Sequence, residues 1–157
     1  GDLGRSRGVG EVYKRQIQDR VNLLGVMEGA QVILGPQGEM IQRAWKAIPE
    51  HYPAVGVDTF VVMPNHLHGI ILLRGAEHPG DNVTSLGDVI KRFKSVTTRM
   101  YVTGVAELGW NPFNGRLWQR NYYEHIIRTE EELGTIRKYI HNNPAQWSED
   151  HDNPVNW

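Results

Sequence analysis

Phe60-Val61-Val62-Met63-Pro64-Asn65-His66-Leu67-His68-Gly69-Ile70-Ile71-Leu72-Leu73 sets the frame for the whole chain. Apolar, β-branched residues on both sides of a Pro-Asn break read as the two strands of a hairpin. Side chains two apart in a strand share a face. His66 and His68 therefore project side by side while Leu67 points the other way. Two imidazoles so placed make a two-nitrogen clamp for a divalent metal. A lone His-x-His also arises on strands by chance, so this reading needs a third ligand from elsewhere in the chain.

The 157 residues give room for one domain with a real core, not for two. The absence of Cys excludes a disulfide scaffold, a thiolate zinc site and a Cys nucleophile, and it suits a reducing compartment. No apolar run approaches the roughly 18 residues of a membrane span, and no signal-peptide pattern opens the chain. The expectation is a soluble cytoplasmic protein with no membrane partner. A formal net charge of −1 gives no global attraction to nucleic acid, so a polyanion site must come from local basic clusters.

Residues 1–18 read as an irregular N-terminal segment, Gly- and Arg-rich and without strand or helix period before Val12-Tyr13. A sequence-assembly scar and an ordinary basic tail explain it equally well. The remainder, 19–157, reads as a single domain. Residues 21–27 and 31–34 form a short hairpin across Glu28-Gly29. Met40, Ile41, Ala44, Trp45 and Ile48 recur at helical spacing, predicting an amphipathic helix over 37–50 with Trp45 as a core anchor.

Ser85 and Asp88 have the spacing of a capping box and open a second helix. Leu86, Ile90, Phe93, Thr97 and Met100 share its buried face, leaving Lys91, Arg92, Lys94 and Arg99 largely off it. Such cations are by default a solvated surface, and beside a metal site they also make a rim that tracks phosphates. The aromatic and β-branched run over 117–128 is a strand, in which Arg120 and Arg128 interleave with Trp118, Tyr122 and Tyr123. Trp118 and one of the paired tyrosines fill core space on this reading; the others, with Arg116 just upstream, suit a single nucleic acid strand. Thr129 caps a last helix, Glu130 to Glu132 complement its positive end, and Leu133, Ile136 and Ile140 form its buried stripe. Tyr139 and Asn143 lie four apart on one helix face, although Pro144 disfavours helical geometry at Asn143.

These parts suffice to cut a phosphodiester by covalent catalysis, with Tyr139 as nucleophile and Arg137 and Lys138 beside it to favour the phenolate. Two imidazoles and an amide oxygen leave coordination positions open, which suits Mg²⁺ or Mn²⁺ better than a closed structural zinc site.

Four blocks add a family resemblance: MPNHLHGI, LGDVIKRFKSVTTR, WQRNYYEHIIR and EELGTIRKYIHNNPAQW. Over about 19–154 they resemble, in order, the REP-associated tyrosine transposases, within the single-tyrosine HUH transposases of bacterial insertion sequences. The resemblance implies an α+β fold, a ferredoxin-like palm in which helices pack on an antiparallel β-sheet. His66 and His68 match the HUH histidine pair and Tyr139 the nucleophilic tyrosine. Asn143 falls where many relatives carry a glutamine that completes the metal shell. The implied substrate is single-stranded or hairpin DNA, which Tyr139 attacks to give a 5′-phosphotyrosine link and a free 3′-hydroxyl. Lys91, Arg92, Lys94, Arg99, Arg116, Arg120, Arg128, Arg137 and Lys138 are the candidate DNA contacts. A monomer is the expected state, with a homodimer as the alternative.

One departure stands out. Relatives open with a Tyr-Phe-Val-Thr type strand central to the sheet, and 11–19 occupies that place without the pattern. A truncated or mis-joined copy would be a non-catalytic binder of hairpin DNA. A third reading, a replication or mobilisation initiator, calls for a further partner domain.

Overall fold

Residues 10–73 and 85–149 are described by a computed structural model, and all structural statements concern these. The hairpin that frames the sequence is present as β4 (Val55–Met63) and β5 (His66–Leu73), joined by the two residues Pro64 and Asn65. Against β5 lies β1 (Gly10–Ile17), and against β1 lies β6 (Trp118–Ile127), giving an antiparallel sheet in the order β4-β5-β1-β6. A separate two-stranded ribbon is formed by β2 (Gly25–Glu28) and β3 (Gln31–Leu34). The helices are α1 (Pro36–Lys46), the single turn α2 (Ile48–His51), α3 (Leu86–Leu108) and α4 (Glu130–Asn142). A 3₁₀ segment, Pro144–Glu149, follows α4. This is the expected α+β arrangement of an antiparallel sheet with packed helices.

The strand period of two divides the chemistry of the sheet. Tyr13, Ile17, Leu67 and Ile71 face one way and join Trp45 of α1 and Ile90, Phe93 and Tyr101 of α3 in the main core. Val12, Ile70 and Ile127 face the other way, against Leu133 and Ile140 of α4. Trp45 is fully buried and meets Phe93 edge-on at 5.3 Å. Its close approach depends on Gly69: a Cβ there would lie 2.8 Å from the Phe60 Cβ and 3.0 Å from the Trp45 ring. Along the same buried face of α3, the Trp118 indole N–H donates to Thr97 Oγ1 at 3.0 Å, and that hydroxyl donates to the Phe93 carbonyl at 2.8 Å.

Several sequence expectations need correction. Gly10–Ile17 is no irregular segment but a central strand, because β5 and β6 offer ladders on both its sides and tertiary pairing overrides its mixed composition. Arg15 and Tyr13 are consequently drawn into the core, where Arg15 Nε and the Tyr13 hydroxyl have no hydrogen-bond partner. The helix expected over 37–50 breaks at Ala47, just before the Ile48-Pro49 turn of α2. On α3 the buried position is Tyr101, whose hydroxyl donates to the Asn111 carbonyl, whereas Met100 is exposed. Neither Tyr122 nor Tyr123 fills the core, since both are about half exposed on the edge strand β6.

Candidate active site

His66 and His68 open β5 on the face covered by α4, as their alternation with Leu67 requires. Both are buried. The Pro64–Asn65 turn does more than reverse the chain. Asn65 Nδ2 donates to the Arg20 carbonyl at 3.1 Å, which turns Asn65 Oδ1 toward His66 Nδ1 at 2.9 Å. Asp19 and Arg20, at φ 59° and 54°, adopt the left-handed backbone that aims this carbonyl. On the other side of the ring, His66 Nε2 lies 3.3 Å from Asn143 Oδ1. Asn143 keeps helical dihedrals (φ −55°, ψ −45°) as the C-cap of α4, so the Pro144 bias against that geometry is overridden by packing.

These contacts pose a chemical question. A neutral imidazole has one N–H, yet His66 faces a side-chain amide oxygen at each ring nitrogen. With the proton on Nδ1, the Nε2 lone pair and the Asn143 oxygen face one another, so both could serve a cation placed between them. The donor set of His66 Nε2, Asn143 Oδ1 and neighbouring His68 therefore fits a divalent metal. Among the described residues no cluster of three or more His, Cys, Asp or Glu side chains could hold one. The third donor beside the two histidines is an amide oxygen rather than a carboxylate.

Tyr139, on α4 one turn before Asn143, sets its ring edge-on to His68 with centroids 5.6 Å apart, and is half exposed. Trp147, carried back by the 3₁₀ segment, lies 6.1 Å from the His66 ring and covers it. Polar contacts hold α4 over the sheet. The Thr129 hydroxyl accepts from the Glu132 N–H, while the Glu132 carboxylate accepts from the Arg128 N–H and pairs with His125. Arg137 makes a bidentate pair with Asp58 of β4, at 2.8 and 3.0 Å. That guanidinium holds the Asp58 carboxyl below the usual carboxylate range.

The structure thus brings together His66, His68, Tyr139 and Asn143, and separates the candidate cations. Arg137 is engaged with Asp58 rather than with the Tyr139 phenol. Lys138 is exposed on α4, and Arg128 stands at the junction of β6 and α4. Lys91, Arg92, Lys94 and Arg99 ride on α3, across the sheet from the histidines instead of beside them. There Arg92 meets His51 at 3.0 Å. Lys94 gathers with Arg15, Arg116 and Arg120; burial first, and then these three charges, hold its ammonium below the ordinary lysine range. Sequence reasoning missed Asn65 as the support of His66, Trp147 as its cover and Asp58 as the anchor of α4.

Residues 30–143 match the family model for IS200-like transposases. The chain belongs to the IS200-like transposase family. A Haemophilus influenzae protein whose name assigns no function is 36% identical over 146 residues, covering 82% of this chain and 76% of its own. A second H. influenzae protein, assigned by name to the REP-associated tyrosine transposases, is 28% identical over 106 residues, covering 66% of this chain and 56% of its own. Among solved structures, a REP-associated tyrosine transposase bound to a REP hairpin is similar with a TM-score of 0.59 and 21% identity, covering 88% of this chain and 68% of that one. Membership of this family marks the chain as a DNA transposase, and the fold agrees. No helix among the described residues is long and apolar enough to cross a membrane.

Proposed function

We propose that this IS200-like transposase nicks and rejoins single-stranded DNA, at sites associated with hairpins, through a 5′-phosphotyrosine intermediate on Tyr139. The observation that carries the reading is the meeting of Tyr139 with His68, His66 and Asn143 from a hairpin and a helix end far apart in sequence. In the proposed step the Tyr139 oxygen attacks phosphorus, a Tyr–O–P bond forms and the P–O3′ bond breaks. The phenol proton leaves to water in the open cleft, and the released 3′-oxygen takes one up. A 3′-hydroxyl later reverses the attack, so no external energy source is consumed.

His66, His68 and Asn143 would hold Mg²⁺ or Mn²⁺, which when bound polarises a non-bridging phosphate oxygen. Asn65 keeps the His66 proton on Nδ1, leaving Nε2 available as a ligand, and Trp147 shields that ring from water. The α3 and β6 cations, Lys91, Lys94, Arg116 and Arg120, face away from this cleft, and we assign them to the backbone of the hairpin.

A second reading, a hairpin binder without chemistry, draws on the core of β1. Among the described residues Arg15 Nε and the Tyr13 hydroxyl have no hydrogen-bond partner, a cost carried by the strand next to the histidines.

One experiment separates the two. The protein is incubated with Mn²⁺ and labelled oligonucleotides carrying hairpins, and denaturing gels are read for a covalent adduct, with Tyr139→Phe alongside. The expected result is an adduct that requires both the metal and the Tyr139 hydroxyl. Hairpin binding by folded protein with no adduct would favour the binder. An adduct persisting in Tyr139→Phe would remove Tyr139 from the role.

A further inference from the structure

Helix α4 packs chiefly over β4 and β5 and reaches Val12 and Ile127 at one end of β1 and β6, while Tyr123 further along β6 stays exposed. Between the helix and the exposed stretch of β6 lies a cleft of about 400 Å³. Thr135, Ile136 and Tyr139 line it from the helix, and Lys14, His68 and Tyr123 line it from the sheet. In the sheet, Tyr123 pairs with Lys14, and Lys14 in turn with His68, so the three residues form one row on the active face.

The two exposed tyrosines of β6 are not equivalent. Tyr122 is on the opposite face, where its ring lies 5.5 Å from Tyr13 and 4.6 Å from the Arg15 guanidinium. Tyr123 is 55% exposed and, among the described residues, has no such ring partner. A phenol ring left open to water beside the candidate nucleophile contributes little to the core.

We propose that Tyr123 is a stacking platform for the nucleobase next to the scissile phosphate, and that the cleft it shares with Tyr139 is the pocket for that base. This rests on the reading of Tyr139 as nucleophile. The walls of the cleft suit a nucleotide. Ile136 and the two tyrosine rings give a planar heterocycle stacking area, while Lys14 and Thr135, which also line the cleft, are polar groups suited to its edge or to the adjoining phosphate. The volume falls in the roughly 300–1,000 Å³ range of small-molecule sites. Beyond Tyr123 the surface changes character. A second cleft of about 470 Å³, which Tyr123 also lines, is bounded by Gln16, Gln119 and Asn121 together with Lys14 and Arg20. Amides of this kind can meet base edges and sugar-phosphate oxygens of the next nucleotide. Tyr123 therefore stands where an apolar base pocket passes into a polar track.

The test uses the full chain. The adduct formed by the parent protein first maps the scissile phosphate. Binding of Tyr139→Phe protein to the mapped hairpin oligonucleotide is then measured by anisotropy, with the natural nucleoside or an abasic sugar on either side of that phosphate. Loss of one stacked base is expected to weaken binding about 5- to 150-fold. With Tyr123→Ala added, the natural oligonucleotide is expected to bind as weakly as the abasic one, and the abasic change to cost nothing more. Tyr123→Phe is expected to restore the difference, and Tyr123→Leu to restore little of it. An unchanged abasic penalty in Tyr123→Ala overturns the platform while leaving the nucleophile in place. Absence of any adduct in the parent, or one that persists in Tyr139→Phe, overturns the reading of Tyr139 and this proposal with it.

Discussion

The two faces of the four-stranded sheet are built from the same strands and do opposite things. On the α1–α3 face, β5 contributes Leu67, Gly69 and Ile71, and the space above them is filled by Trp45, Phe93 and Tyr101. On the α4 face, the alternate residues are His66, His68 and Ile70, met by a helix that leaves Tyr123 of β6 exposed. A period of two lets one strand anchor a core and present polar ligands without either use compromising the other. The difference teaches that stability and chemistry can be altered separately here.

Substitutions on the two faces test that separation. The largest effect is expected from Trp45→Ala, which empties the centre of the closed face; denaturant unfolding should show a loss of about 3–5 kcal/mol. Gly69→Ala would push a methyl into Phe60 and Trp45 behind the histidines, at about 1–3 kcal/mol. Thr97→Val removes the acceptor of the buried Trp118 N–H, and a destabilisation of about 1–3 kcal/mol is expected in the same assay.

On the open face, Tyr139→Phe should leave stability within about 0.5 kcal/mol of the parent while abolishing the covalent adduct. A large loss of stability in that variant would break the comparison, because Tyr139 would then be a packing residue. The smallest effect concerns Asp58. Its carboxyl titrates below its unfolded value of about 3.9, so the stabilisation it supplies is complete above that pH and is lost as pH falls through the lower folded value. Arg137→Met should lower the melting temperature slightly at pH 7, and the two proteins should converge as pH drops below about 4. A difference that persists unchanged in acid would assign the effect to packing of the Arg137 stem.

The sequence disclosed what depends on short-range period and capping. The register of β5, the facing of His66 and His68, the Ser85 and Thr129 caps and the burial of Trp45 all follow from residues within a turn or a strand of each other. It concealed what depends on partners distant along the chain. The β1 strand alternates poorly and forms because two neighbours pair with it. Arg137 reads as a free cation until Asp58, 79 residues away, is placed beside it. Asn65 reads as a turn former, and its hold on His66 appears only when the Arg20 carbonyl fixes the amide. The basic face of α3 was legible as basic, but which side of the sheet it occupies is a property of topology. The contrast between Met100 and Tyr101 turns on about 100° of helix rotation, finer than a five-residue stripe defines.

Helix α4 is fastened chiefly by polar hooks at its rim: Thr129 and Glu132 at its start, and Arg137 on Asp58. Only Leu133 and Ile140 are fully withdrawn from water along it, whereas α3 buries seven positions. Segments with few buried apolar contacts open at lower free energy than the whole molecule unfolds. The amide protons of α4 should therefore exchange with solvent sooner than those of α3, and sooner still at high ionic strength. In that sense the position of the Tyr139 hydroxyl is a population, set by salt and pH as much as by the fold that displays it.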